Sequence, residues 1–172
     1  TNSYHGYDFY QLFSGNNVLN VYKRQGQYEL LRSFAPEGAL TGMWFGAYHS
    51  QRYEAPQRYF PWLMLMHGMN SCWYFSVYSD TSDGNTWGAV TPDLTPSFYL
   101  KWALEEIAEI KSGTGMLLLN CERLHDGIAV HYSPASLHAS SLDHTMSFVP
   151  DAHHSFITLI EDAGFQYEFV AP

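Results

Sequence analysis

The chain has 172 residues, 46% of them hydrophobic, 17% aromatic and only 15% charged, with 17 acidic against 8 basic residues and a formal net charge of −9. Such a composition supports a sizeable folded core and argues against disorder. The acidic balance, with no Lys/Arg cluster beyond Lys23-Arg24, argues against nucleic-acid binding, and no run of about 18 apolar residues marks a transmembrane helix.

In "YHGYDFYQLFSGNN" the spacing of Tyr7, Tyr10 and Phe13 predicts a short helix, stopped by Gly15 and two asparagines. "NVLNVY" (17–22) reads as a short strand. "GQYELLRSFAPEG" carries Tyr28, Leu31 and Phe34 at a helical period and is stopped by Pro36 and Gly38. "TGMWFGAY" (41–48) is the next strand, "RYFPWLMLMHG" (58–68) an apolar helix, and "SCWYFSVYS" (71–79) a dense aromatic strand. A turn-rich loop leads to the clearest helix, 97–113, where Ser97 is the N-cap and Leu100, Ala103, Leu104, Ile107 and Ile110 line one face. Gly113 is expected to end it.

A second unit starts near Gly115. It has a strand over 126–134, a Ser-rich stretch with some local structure, a helix over 151–164 and a strand over 165–172. Strands alternate with helices, so the fold class is α/β with parallel pairing, either barrel or doubly wound. A closed barrel needs eight strands and about 250 residues. The chain therefore reads as a fragment of a longer protein. Cys72 and Cys121 lie in or beside apolar runs outside any CxxC pattern, and both are expected as buried, reduced thiols.

Aromatic residues gather where strands end. Trp44, Phe45 and Tyr48 close one strand, Trp73, Tyr74, Phe75 and Tyr78 fill the next, and Trp87 follows in the loop. Aromatic faces with polar rims suit sugar rings, whose C–H faces are apolar and whose hydroxyls need hydrogen bonds. Inside strands the same residues serve a core. Tyr48, Tyr78 and Trp87 stand at strand ends or in loops, where a barrel builds its active site. Glycoside hydrolysis also needs facing carboxylates. The loops offer Glu54, Asp80, Asp83 and Asp93. Asp83 and Asp93 read as turn residues, whereas Asp80 directly follows "SVYS" and is the better contact for a sugar hydroxyl. Nine histidines include the adjacent His153 and His154, but no HExxH pattern, so no metal is expected; neither a GxSxG elbow nor a phosphate-binding loop is present.

"LMLMHGMNSCWYFSVYS" resembles the last barrel segment of family 42 glycoside hydrolases, the β-galactosidase group. "GAVTPDLTPSFYLKWALEEIAEIKSG" is similar to the loop and helix that close that barrel. "GIAVHYSP" and "HHSFITLIEDAGFQYEFVAP" are similar to the family's next domain, a Rossmann-like, class I glutamine-amidotransferase-like fold associated with trimer formation. The resemblance implies that residues 1–115 are the C-terminal part of a TIM (β/α)8 barrel. Residues 17–22, 41–48 and 71–79 would be its sixth, seventh and eighth strands, and 116–172 the start of the trimerisation domain. It implies a carbohydrate substrate, hydrolysis of O-glycosidic bonds, a homo-oligomeric parent and no cofactor. The family's nucleophilic Glu ends the seventh strand. Here Gly46, Ala47 and Tyr48 occupy that place, and the acid/base Glu belongs to a fourth strand upstream of this stretch. Glu54, six residues past Tyr48, is the carboxylate that could substitute from the loop. Trp44, Tyr48, His49, Tyr78, Asp80 and Trp87 are the expected pocket wall. A non-catalytic carbohydrate-binding relative and an oligomerisation module are the alternatives.

Overall fold

The computed structural model describes residues 4–7, 26–46, 53–75, 77, 88–142 and 148–171. Two sheets organise them. In the first, β1 (Tyr4–Tyr7), β2 (Leu40–Gly46) and β3 (Ser71–Phe75) pair in parallel in the order β1-β2-β3. The register sets Tyr4 opposite Leu40 and Gly42 opposite Ser71. In the second, β4 (Ile128–His131) and β5 (Tyr167–Val170) are also parallel, with Ile128 opposite Tyr167. Parallel neighbours need long crossovers, and helices supply them.

The helix expected from Tyr7 meets a correction at its start, because Tyr4–Tyr7 are a strand. Pairing along the edge of β2 overrides a three-residue aromatic spacing; the rest of that expected helix lies outside the described residues. β2 has two hydrogen-bonding edges, and β1 and β3 take them. Residues 17–22 are themselves outside the described residues.

Close packing fixes the β2–β3 register. A Cβ on Gly42 would fall 2.1 Å from Ser71 Oγ and 2.4 Å from its carbonyl oxygen. Ser71 Oγ donates to the Thr41 carbonyl at 2.8 Å, and the Asn70 side chain accepts from Thr41 N and donates to the Ala39 carbonyl, both at 2.8 Å.

α1 (Gly26–Phe34) and α2 (Glu54–Met66) flank β2 in sequence. α1 stops as predicted, before Pro36 and a left-handed Gly38 (φ 73°). α2 starts four residues earlier than predicted and ends at His67 and the left-handed Gly68. α3 (Phe98–Glu109) follows β3. Its Ser97 lies at the N-cap, yet the Ser97 hydroxyl donates to the Ala89 carbonyl at 2.9 Å and makes no cap bond. The buried stripe of α3 is Tyr99 and Ala103, with Ile107 packed on the core, while Leu104 is exposed. The small Ala103 lets α2 and α3 approach, which turns Leu104 outwards. The core of this layer joins Tyr28, Phe60, Leu63, Met64, Met69 and Ala103.

Gly113 breaks the helix, as its position predicts. Residues 110–114 form a π-type turn in which Gly113 leaves helical geometry at φ 135° and kinks the chain, and a separate short helix, α4 (Gly115–Asn120), follows. The expected unit boundary at 115/116 lies at the start of α4, just after this kink. After β4 come α5 (Pro134–Leu142), in the Ser-rich stretch, and α6 (Phe148–Asp162). Val130, Ile157, Ile160, Tyr167 and Phe169 form a second core, on which Leu30 of α1 also packs. Cys72 and Cys121 are both free and both have exposed surface, although burial still pushes the Cys72 thiol up to about 12. Apolar flanks predict average burial and leave the direction of one side chain open.

Candidate functional site

Because β1, β2 and β3 are parallel, their C-terminal ends share one edge of the sheet, where Gly46 lies opposite Phe75. Tyr48 and His49 follow Gly46 within three residues, and Tyr78 and Asp80 follow Phe75 within five. The chain therefore leaves both strands at the edge where the pocket is expected. Tyr48, His49, Tyr78, Asp80 and Trp87 themselves lie outside the described residues. Trp44 is in β2, its Cα opposite that of Trp73.

The loop before α3 hangs from the same edge, since Val90 N donates to the Val77 carbonyl at 3.0 Å. Asp93 serves this loop as a turn residue. The Thr91 hydroxyl and the Thr95 amide donate to its carboxylate, and together they hold it below the usual carboxylate range. Leu94 at the tip is exposed and takes φ 64°.

Glu54 opens α2, where its half-exposed carboxylate accepts from Arg58 Nε at 2.8 Å. Arg58 reaches on to Glu105 and Glu106 of α3, each at 2.7 Å. Trp62 Nε1 adds a 2.7 Å bond to Glu106, and these donors hold the Glu106 carboxyl below its usual range. Glu54 is thus part of an ion-paired surface that joins two helices.

A second constellation was not foreseen. Glu29 of α1 has no exposed surface. Its Oε1 lies 2.5 Å from His67 Nδ1 and 2.7 Å from Arg123 Nη1, and its Oε2 is 2.9 Å from Arg32 Nη2. Arg123 also donates to Gln166 just before β5. Burial alone would push the Glu29 carboxyl up. The hydrogen bonds from His67 and Arg123 and the Arg32 charge outweigh it and hold Glu29 below the usual carboxylate range. Beside this cluster Tyr167 donates to Glu161 at 2.7 Å. Burial raises the Glu161 carboxyl and, with the Glu161 charge, raises the Tyr167 phenol as well.

A cleft of about 230 Å³ opens here, lined by His67, Arg123, Glu161, Phe165, Gln166 and Tyr167 among others. A carboxylate that fixes one nitrogen of an imidazole can orient it as a base. Among the described residues, however, the lining contains no Ser, Thr or Cys, and its polar groups bond one another. The arrangement joins layers of the fold. Glu29 and Arg32 were legible only as an i,i+3 pair, and nothing in the local sequence points to Arg123, 94 residues away.

Among the described residues no group of three or more His, Cys, Asp or Glu side chains could hold a metal ion, and no helix is long and apolar enough to cross a membrane. No protein-family model matches the chain, and no curated protein matches it significantly.

Proposed function

We propose that the chain carries part of the sugar-binding mouth of a β-galactosidase-like glycoside hydrolase. A stretch of (β/α) barrel is its scaffold, and a Rossmann-like, oligomer-forming domain begins after it. The observation that supports this reading is the common edge of β1, β2 and β3, from which the segments bearing Tyr48, His49, Tyr78 and Asp80 depart. In barrels of parallel strands that edge carries the active site. Trp44, Tyr48, Tyr78 and Trp87 would stack on the C–H faces of a sugar ring, and His49 and Asp80 would bond its hydroxyls.

Sugar binding without hydrolysis is the second reading. It is favoured by one fact of sequence: no Asp or Glu occurs between Glu37 and Glu54, so β2 delivers no carboxylate to the edge. Two facing carboxyl groups are needed for hydrolysis. Calorimetry of the full chain with galactose and aryl β-galactosides, alongside a chromophore-release assay, separates the readings. Binding with release supports the hydrolase, and binding without release supports the binding module. Tyr48→Ala should weaken binding by about tenfold, the worth of one aromatic contact. Unchanged affinity would remove Tyr48 from the pocket, and no binding of any glycoside would overturn the proposal.

A further inference from the structure

The two cores are separate clusters, and α1 stands between them. Tyr28 and Leu31 belong with the first, and Leu30 packs on the second. The apolar side of the second attachment is thin. Leu30 is only partly buried, and Phe34, which meets Tyr132 at a ring distance of 5.9 Å, is 45% exposed. The polar side is better made. Phe169 N in β5 donates to Ser33 Oγ at 2.9 Å. Arg123, in the segment between α4 and β4, bonds Glu29 with one nitrogen and Gln166 with others, so one guanidinium ties α1 to the entry of β5.

We propose that Glu29 is a latch that holds the β4–β5 layer onto α1, and that acid opens it, releasing that layer as a unit while the first core stays folded. The charged and titratable groups facing Glu29 are His67 from the end of α2, Arg123 from the 121–127 segment, Arg32 from α1, Glu161 from α6 and Tyr167 from β5. Protonating Glu29 leaves Arg32 and Arg123 facing each other beside His67. The two guanidinium cations then lack the carboxylate that brought them together. The layer has its own core of Val130, Ile157, Ile160, Tyr167 and Phe169, which gives it cohesion when it leaves.

Hydrogen exchange on the full chain, corrected for the intrinsic pH dependence of exchange, tests this. On going from about pH 7 to about pH 3, well below the unfolded carboxylate value of about 4.3, amides of 128–131 and 167–170 should exchange at least about tenfold faster, while those of 54–66 hold within about twofold. Glu29→Gln should show the same selective loss at pH 7. Because that variant could unfold the whole chain, Arg123→Met is the second arm, as it keeps Glu29 paired with His67 and Arg32 and cuts only the tie to the second layer. Selective loss in Arg123→Met supports the latch. Equal loss in both layers, or no loss at 128–131 and 167–170, overturns it.

Discussion

Around Glu29 one fully buried carboxylate holds two arginines and a histidine, whereas around Arg58 one half-exposed arginine holds three carboxylates. Both are built on arginine–carboxylate pairs, at nearly the same distances. The surroundings differ. Arg58, Glu54 and Glu105 keep their water, so each pair exchanges hydration for contact at little net gain. Glu29 has lost its water entirely, and its partners supply every bond that water would have made. Geometry alone therefore does not rank ion pairs; desolvation does, and it makes removal of a buried partner costly even where the intact pair is near neutral.

The largest expected effect follows from deleting the buried centre. Glu29→Ala leaves two arginines and a histidine facing a void, and should cost about 3–5 kcal/mol in urea denaturation. A loss below about 1 kcal/mol would show that the cluster behaves like the one at Arg58. Removing one donor is the next step down. Arg123→Met should cost about 1.5–3 kcal/mol, the usual worth of a hydrogen bond to a charged group.

Acid titration approaches the same contrast without mutation. Glu29 is held below its ordinary pKa in the folded chain, so the unfolded chain binds that proton first as pH falls. Its stabilisation is complete above the unfolded carboxylate value of about 4.3 and is lost as pH drops through the lower folded value. Glu161 has the opposite sign. Its raised carboxyl stabilises below the unfolded value, and that contribution is lost as pH rises through the folded one. Glu29→Gln should flatten the acid limb of the stability–pH curve, and Glu161→Gln the limb above it; an unchanged acid limb in Glu29→Gln would assign the acid loss to other carboxylates.

A smaller effect probes the apolar side of the same seam. A Cβ on Gly26 would lie 2.8 Å from Ile157 Cδ1, so Gly26→Ala should cost about 1 kcal/mol as Ile157 shifts. A gain in stability would show that the seam has slack. The smallest effect belongs to the surface network. Glu54→Gln should leave the thermal midpoint within error, and should leave glycoside binding unchanged because its carboxylate is occupied by Arg58. A loss of binding would return Glu54 to the pocket.

Periodicity and turn chemistry made much of the element order legible. Pro36 and Gly38 close α1, Gly68 closes α2, and the strand–helix–strand order of 128–170 appears in the apolar pattern. These are local effects, each decided by residues a few positions apart. The tertiary structure decided the rest. Tyr4–Tyr7 became a strand because β2 offered it an edge, and on α3 the core took Ala103 and left Leu104 outside. Glu29 reads in sequence as a solvated charge in the first turn of an amphipathic helix. Only the return of the chain at Arg123 and Gln166 buries it, and a carboxylate's worth depends on what has replaced its water, which no local pattern records.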